Sequence, residues 1–118
     1  MDHLHDLHAL QTFVEANWPF NNKNYPRMPK HKDERQLVFV LNHLAKHLQK
    51  EVGKLIRLLE PWDHGKPLPE NFEKQMADIL RDFLVLTLRM NALEGRYAFD
   101  LALSIRKLYR KKKRPRKK

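Results

Sequence analysis

The sequence predicts an all-α fold, an antiparallel four-helix bundle, on three observations. Apolar residues recur at spacings of three and four over long stretches, the period of one helix face. No stretch alternates apolar and polar residues as a strand would. Clusters of Pro, Gly and Asn separate the periodic stretches and mark turns between them. A chain of 118 residues suits one domain with one modest core.

The first helix is expected over residues 2–17. Leu4, Leu7, Leu10 and Val14 form its apolar face, with Gln11 beside Leu10 and Asp2 as the cap. Trp18-Pro19 stops it, because a residue before Pro disfavours helical geometry. Residues 18–32 form a loop broken by Pro19, Pro26 and Pro29, which Trp18, Phe20 and Tyr25 pin onto the bundle.

The second helix is the strongest element, from about Asp33 to Glu60. Asp33 and Gln36 make a capping-box pattern. Leu37, Leu41, Leu44, Leu48, Val52, Leu55 and Leu59 follow at helical spacing, widened by Val38, Ala45 and Ile56. Gly53 costs roughly 1 kcal/mol inside a helix, so a closely approaching neighbour helix is expected there. Pro61 is expected to end the helix.

A rigid turn over 61–69 leads to the third helix, beginning near Pro69-Glu70. Phe72, Met76, Ile79, Phe83, Leu86, Met90 and Leu93 form its apolar stripe, and Gly95 stops it. The fourth helix runs from about Arg96 to Lys112, with Ala98, Leu101, Ile105 and Leu108 facing inward. Helices two and three carry more apolar surface than helices one and four can cover, which predicts a homo-oligomer.

Composition excludes several function classes. There is no Cys, hence no disulfide framework, thiolate metal site or Cys nucleophile. Ser104, the only Ser, lies on a predicted helix beside its apolar face, and there is no Gly-rich phosphate loop. The longest apolar run is too short to span a bilayer, and the N-terminus lacks signal-peptide order, so a cytoplasmic location is expected. The net charge of +10 is concentrated at one end. Residues 1–105 are neutral, with 14 cations and 14 acids. Residues 106–118 hold ten cations and no acid: Arg106, Lys107, Arg110, Lys111, Lys112, Lys113, Arg114, Arg116, Lys117 and Lys118. The chain divides into a helical domain over 1–109 and a basic C-terminal tail over 110–118.

Two polar rows border the central apolar stripes. His43, His47, Glu51 and Lys54 follow at spacings of four, four and three on the second helix. Gln75, Asp78 and Asp82 follow at three and four on the third. Antiparallel neighbours would bring these rows face to face.

Lys50-Glu51-Val52-Gly53-Lys54-Leu55, then Gln75-Met76-Ala77-Asp78-Ile79-Leu80, then Asp100-Leu101-Ala102 leading into a basic helix, resembles the all-α nucleotide pyrophosphohydrolase superfamily, the MazG-like proteins. The resemblance covers about residues 35–110. It implies a site in which Glu-x-x-Glu and Glu-x-x-Asp hold Mg²⁺ for cleavage of a nucleoside triphosphate. In this chain Glu51 and Asp78 keep two of those acids, while Lys54 and Gln75 stand where the others would be. Two carboxylates and an ammonium make a poor site for Mg²⁺, which dehydrates reluctantly. The expectation is a fold kept with its catalysis lost and no cofactor, Lys54 pairing with Glu51 and Asp78 in place of the ion. The alternative is a Mg²⁺-dependent pyrophosphohydrolase with a rearranged site using Glu51, Asp78, Asp82 and His47.

His43 and His47, one turn apart and one turn before Glu51, suggest a weaker metal set of His47, Glu51, Asp78 and Asp82. His3, His5 and His8 read as a solvated helix face. The ten clustered cations point to nucleic acid, DNA or RNA, by replacement of condensed counterions, with Tyr109 as a possible stacking residue. The leading reading is a non-catalytic helical module that binds nucleic acid or a ribonucleoprotein through its tail. A helical protein-interaction scaffold is the second alternative.

Overall fold

A computed structural model describes residues 6–30, 33–93, 95 and 98–113. Four helices account for the regular structure: α1 (Leu7–Asn17), α2 (Glu34–Asp63), α3 (Phe72–Leu93) and α4 (Ala98–Lys113). No strand occurs among the described residues.

Helix α1 starts later than its periodicity predicts. Asp6 takes an extended conformation and its carboxylate accepts from the His8 N–H at 2.7 Å, so Asp6 caps the helix. Asp2 lies outside the described residues. Asp33 caps α2 as expected, accepting from the Arg35 N–H at 2.9 Å. The other half of the capping box does not form, because the Gln36 amide donates to the Pro29 carbonyl at 2.9 Å and ties the loop down.

Pro61 does not stop α2, which continues to Asp63. A proline in the last turn forfeits one intrahelical N–H bond but leaves the following carbonyls usable. His64 and Gly65 close the end, donating to the Pro61 and Trp62 carbonyls at 3.1 and 3.0 Å. Gly65 then turns the chain with φ of +72°, a conformation that favours glycine. Pro69 precedes α3 rather than opening it, its carbonyl accepting from the Phe72 N–H at 3.1 Å. Gly95, with φ of +69°, follows the end of α3 as expected and donates to the Ala92 carbonyl at 3.0 Å. Arg96 lies outside the described residues.

Helix α3 is the hub, packing against α2, α1 and α4, and α1 also touches α4. Helix α2 packs on α3 alone among the described helices. Val40 and Leu44 of α2 meet Leu86 of α3 and the buried loop residue Met28, with Phe20, Tyr25, Leu48, Met90 and Leu93 against them. The loop is thus part of the core, and Phe20 and Tyr25 pin it as expected. Trp18 stays about half exposed, edge-on to Phe13.

Two packing expectations need correction. On α4, Ala98 is buried and Leu101 half-buried, but Ile105 and Leu108 are exposed, so only its first turns reach the core. At Gly53 no other described helix comes within 4 Å of an added Cβ. An added Cβ would meet only the Arg57 guanidinium, at 3.3 Å.

Candidate functional site

The polar rows do meet. Glu51, Lys54, Arg57 and Leu58 of α2, with Pro69, Gln75, Asp78, Ile79 and Asp82, line an open cleft of about 350 Å³. Glu51 is drawn inward by its register. It stands seven residues from both Leu44 and Leu58, which are buried on the face that α2 turns to α3. On α3, Asp78 and Asp82 flank buried Ile79 and so sit at the cleft rim.

The charges are paired unevenly. Lys54 Nζ donates to Glu51 Oε1 at 2.9 Å, while the buried Glu51 Oε2 has no hydrogen-bond partner among the described residues. Asp78 is not held by Lys54, contrary to expectation. It accepts from Lys74 at 3.0 Å and Arg81 at 3.3 Å, both on its own helix. The bonded Lys74 ammonium, helped by Arg81, keeps the Asp78 carboxyl below its usual range, outweighing the effect of burial. Asp82 pairs with Arg81 at 3.0 Å. Gln75 turns back to Asn71, with Nε2 donating at 2.6 Å.

This donor set does not fit Mg²⁺. All three carboxylates are committed to cations of their own helix, Glu51 to Lys54 on α2, and Asp78 and Asp82 to Lys74 and Arg81 on α3. Among the described residues, no three His, Cys, Asp or Glu side chains are placed to hold a metal ion. The set His47, Glu51, Asp78 and Asp82 is divided. Three of its members line the cleft, whereas His47 lies outside it against His43, Nε2 to Nε2 at 3.1 Å. The His43 ring stands edge-on to Tyr25 at 5.0 Å. Burial, followed by the charges of His47, Arg89 and Lys46, lowers the His43 pKa below 6.5.

The basic segment begins as helix. Arg106, Lys107, Arg110, Lys111 and Lys112 are exposed on the last turns of α4, beyond the part that packs. Lys113 ends the helix, and Arg114, Arg116, Lys117 and Lys118 lie outside the described residues. Tyr109 is exposed among these cations.

Other polar residues were not foreseen from sequence. Arg89 is buried, its guanidinium 4.3 Å over the Phe20 ring and donating to the Tyr25 hydroxyl at 3.0 Å and the Trp18 carbonyl at 3.4 Å. Asn91 donates to buried Gln11 at 2.8 Å, joining α3 to α1. Gln11 carried a signal, standing four residues after Leu7 and three before Val14. Arg89 carried none, because its partners come from a loop more than sixty residues away.

Searches against protein-family models, curated proteins and solved structures find no match to this chain.

Proposed function

We propose that this chain is a non-catalytic helical module of MazG-like type, its α2 and α3 antiparallel, that binds nucleic acid through the basic end of α4 and the residues after it. The antiparallel reading is supported by the packing order. The early α2 residues Val40 and Leu44 lie with late α3 residues, and Glu51 and Leu58 with early ones. The loss of catalysis is supported by Lys54, bonded to Glu51 at the centre of the cleft.

The observation that carries the binding role is the exposed cationic end of α4. There the helix has left the core, and successive turns offer guanidinium and ammonium groups to a polyanion. Such contacts release condensed counterions and position the protein on phosphates without reading sequence. The module is further proposed to act as a homo-oligomer, supported by apolar side chains that α2 and α3 leave uncovered. No helix among the described residues is long and apolar enough to cross a membrane.

The test is fluorescence anisotropy with short single-stranded RNA and duplex DNA over a salt series. Replacing Arg106, Lys107, Arg110, Lys111 and Lys112 with Gln should flatten the slope of log K against log salt by roughly 4, at ~0.7–0.9 per cation. An unchanged affinity and slope would refute the assignment. Pyrophosphate release from common nucleoside triphosphates in Mg²⁺ would favour the enzyme reading instead.

A further inference from the structure

Helix α2 carries two apolar stripes, and only the first is fully buried within the chain. The first, through Val40, Leu44 and Leu58, packs on α3. The second begins at Val38 and ends at Trp62, with positions three and four apart throughout. Val38, Ala45, Val52 and Leu59 are seven apart, and Leu41, Leu48, Leu55 and Trp62 are seven apart between them. This is an a/d heptad seam over the length of α2, a pattern that packs against another helix by knobs into holes.

Within the chain the seam is covered only along its inner edge, where Leu41, Leu48 and Leu55 are half-buried and Leu48 packs on the core; no described helix covers its outer side. Val38 is 60% and Trp62 67% exposed, and Val52 and Leu59 are exposed between them. Ile56 beside the seam, and Leu80 and Leu84 on α3, are exposed as well. By helical register these residues point away from Lys54, Asp78 and Asp82, so the apolar face lies opposite the polar cleft. The exposed parts of these seven side chains sum to roughly 700 Å², taking ~150–250 Å² for a whole large side chain. That exceeds the ~300–600 Å² of the largest patch on a typical monomer. It approaches the ~800 Å² per partner of a standard interface.

We propose that a second copy of this chain covers the seam, its α2 running antiparallel across a two-fold axis near residue 50. The inference rests on the oligomer reading above and names its surface and symmetry. The order of side-chain sizes along the seam favours this arrangement. With the axis at residue 50, Val38 faces Trp62 of the other copy and Ala45 faces Leu55. Leu41 then faces Leu59, and Leu48 faces Val52. The smallest side chains meet large ones, so the layers fill evenly. A parallel pair would set Trp62 against Trp62 and Ala45 against Ala45, overfilling one layer and leaving a void in another. The row flanking the seam is Asn42, Gln49, Ile56 and Asp63, and with the axis at residue 50 its charged member, Asp63, meets Leu37 of the other copy, so no like charges oppose the approach.

The experiment uses the full chain. Light scattering should give twice the 14.2 kDa chain mass. V52E/L59E, altering two side chains exposed in the single chain, should halve that mass with helical circular dichroism retained. For symmetry, V38C/D63C is treated with a short bismaleimide, in a chain that has no cysteine of its own. Residues 38 and 63 are about 37 Å apart within one helix at ~1.5 Å per residue, so a 38–63 link joins two chains. Peptide mapping should find that link. A dimer giving only 38–38 and 63–63 links would overturn the antiparallel arrangement. A dimer with no such links would overturn the seam and leave the oligomer reading standing. A monomer at every concentration would overturn both.

Discussion

Lys54→Met tests the cleft directly. It removes the only partner that a buried carboxylate has among the described residues and keeps most of the aliphatic stem. The two sides of the pair differ in environment: the Glu51 side chain is 9% exposed and that of Lys54 41%. Water therefore solvates the ammonium if Glu51 is removed, but does not reach the carboxylate if Lys54 is removed. Stranding a buried charged acceptor costs about 1–3 kcal/mol or more, whereas an exposed pair is worth under ~1 kcal/mol. Lys54→Met should thus destabilise the chain by about 2 kcal/mol. Glu51→Met should cost under ~1 kcal/mol, because it also removes the buried Oε2 that no described group bonds. The double variant should recover most of the Lys54→Met loss. Urea unfolding followed by circular dichroism at one fixed chain concentration reads these differences. With a slope of ~1–3 kcal/mol per molar urea, 2 kcal/mol moves the midpoint by about 1 M. Equal losses for the two single variants, or a larger loss for Glu51→Met, would refute the asymmetry and with it the burial of Glu51.

Gly53→Ala should stabilise by ~0.5–1 kcal/mol in the same assay, because only the mobile end of Arg57 must give way. Leu44→Ala, at a fully buried core position, should cost ~2–5 kcal/mol. Gly95→Ala should destabilise by about 1 kcal/mol, since its φ of +69° strains any residue with a Cβ. Acid should lower the melting temperature through His43. Its folded pKa lies below 6.5, so the unfolded chain takes up that proton first as pH falls. The loss sets in near pH 6.5 and stops growing below the folded value. His43→Gln should flatten this part of the profile between about pH 7.5 and 5.5, and an unchanged slope in calorimetric scans would refute the link.

Local pattern carried much of this molecule. The helix period located all four helices, Asp33 marked the start of α2, and Gly95 marked the end of α3, because capping and left-handed turns depend on a few neighbouring residues. The facing of Glu51 and Lys54 with Gln75, Asp78 and Asp82 was also legible, since register and a short connection suffice to place two rows together. Pro61 misled because a proline tolerated in a final turn has the same sequence signature as one that breaks a helix. Helix period alone did not mark Asp6 as the cap of α1, because capping there depends on its extended backbone and on its bond from the His8 N–H.

The sequence by itself determined the helices, the two apolar stripes of α2 and the charge gathered at the C-terminal end. Tertiary structure alone decided which stripe of α2 is buried, that Lys54 does not cross the cleft to Asp78, and that Arg89 rests buried over Phe20. The physical reason is range. Helix period and capping are set within a few residues, whereas pairing and burial depend on groups that the chain brings together from far apart.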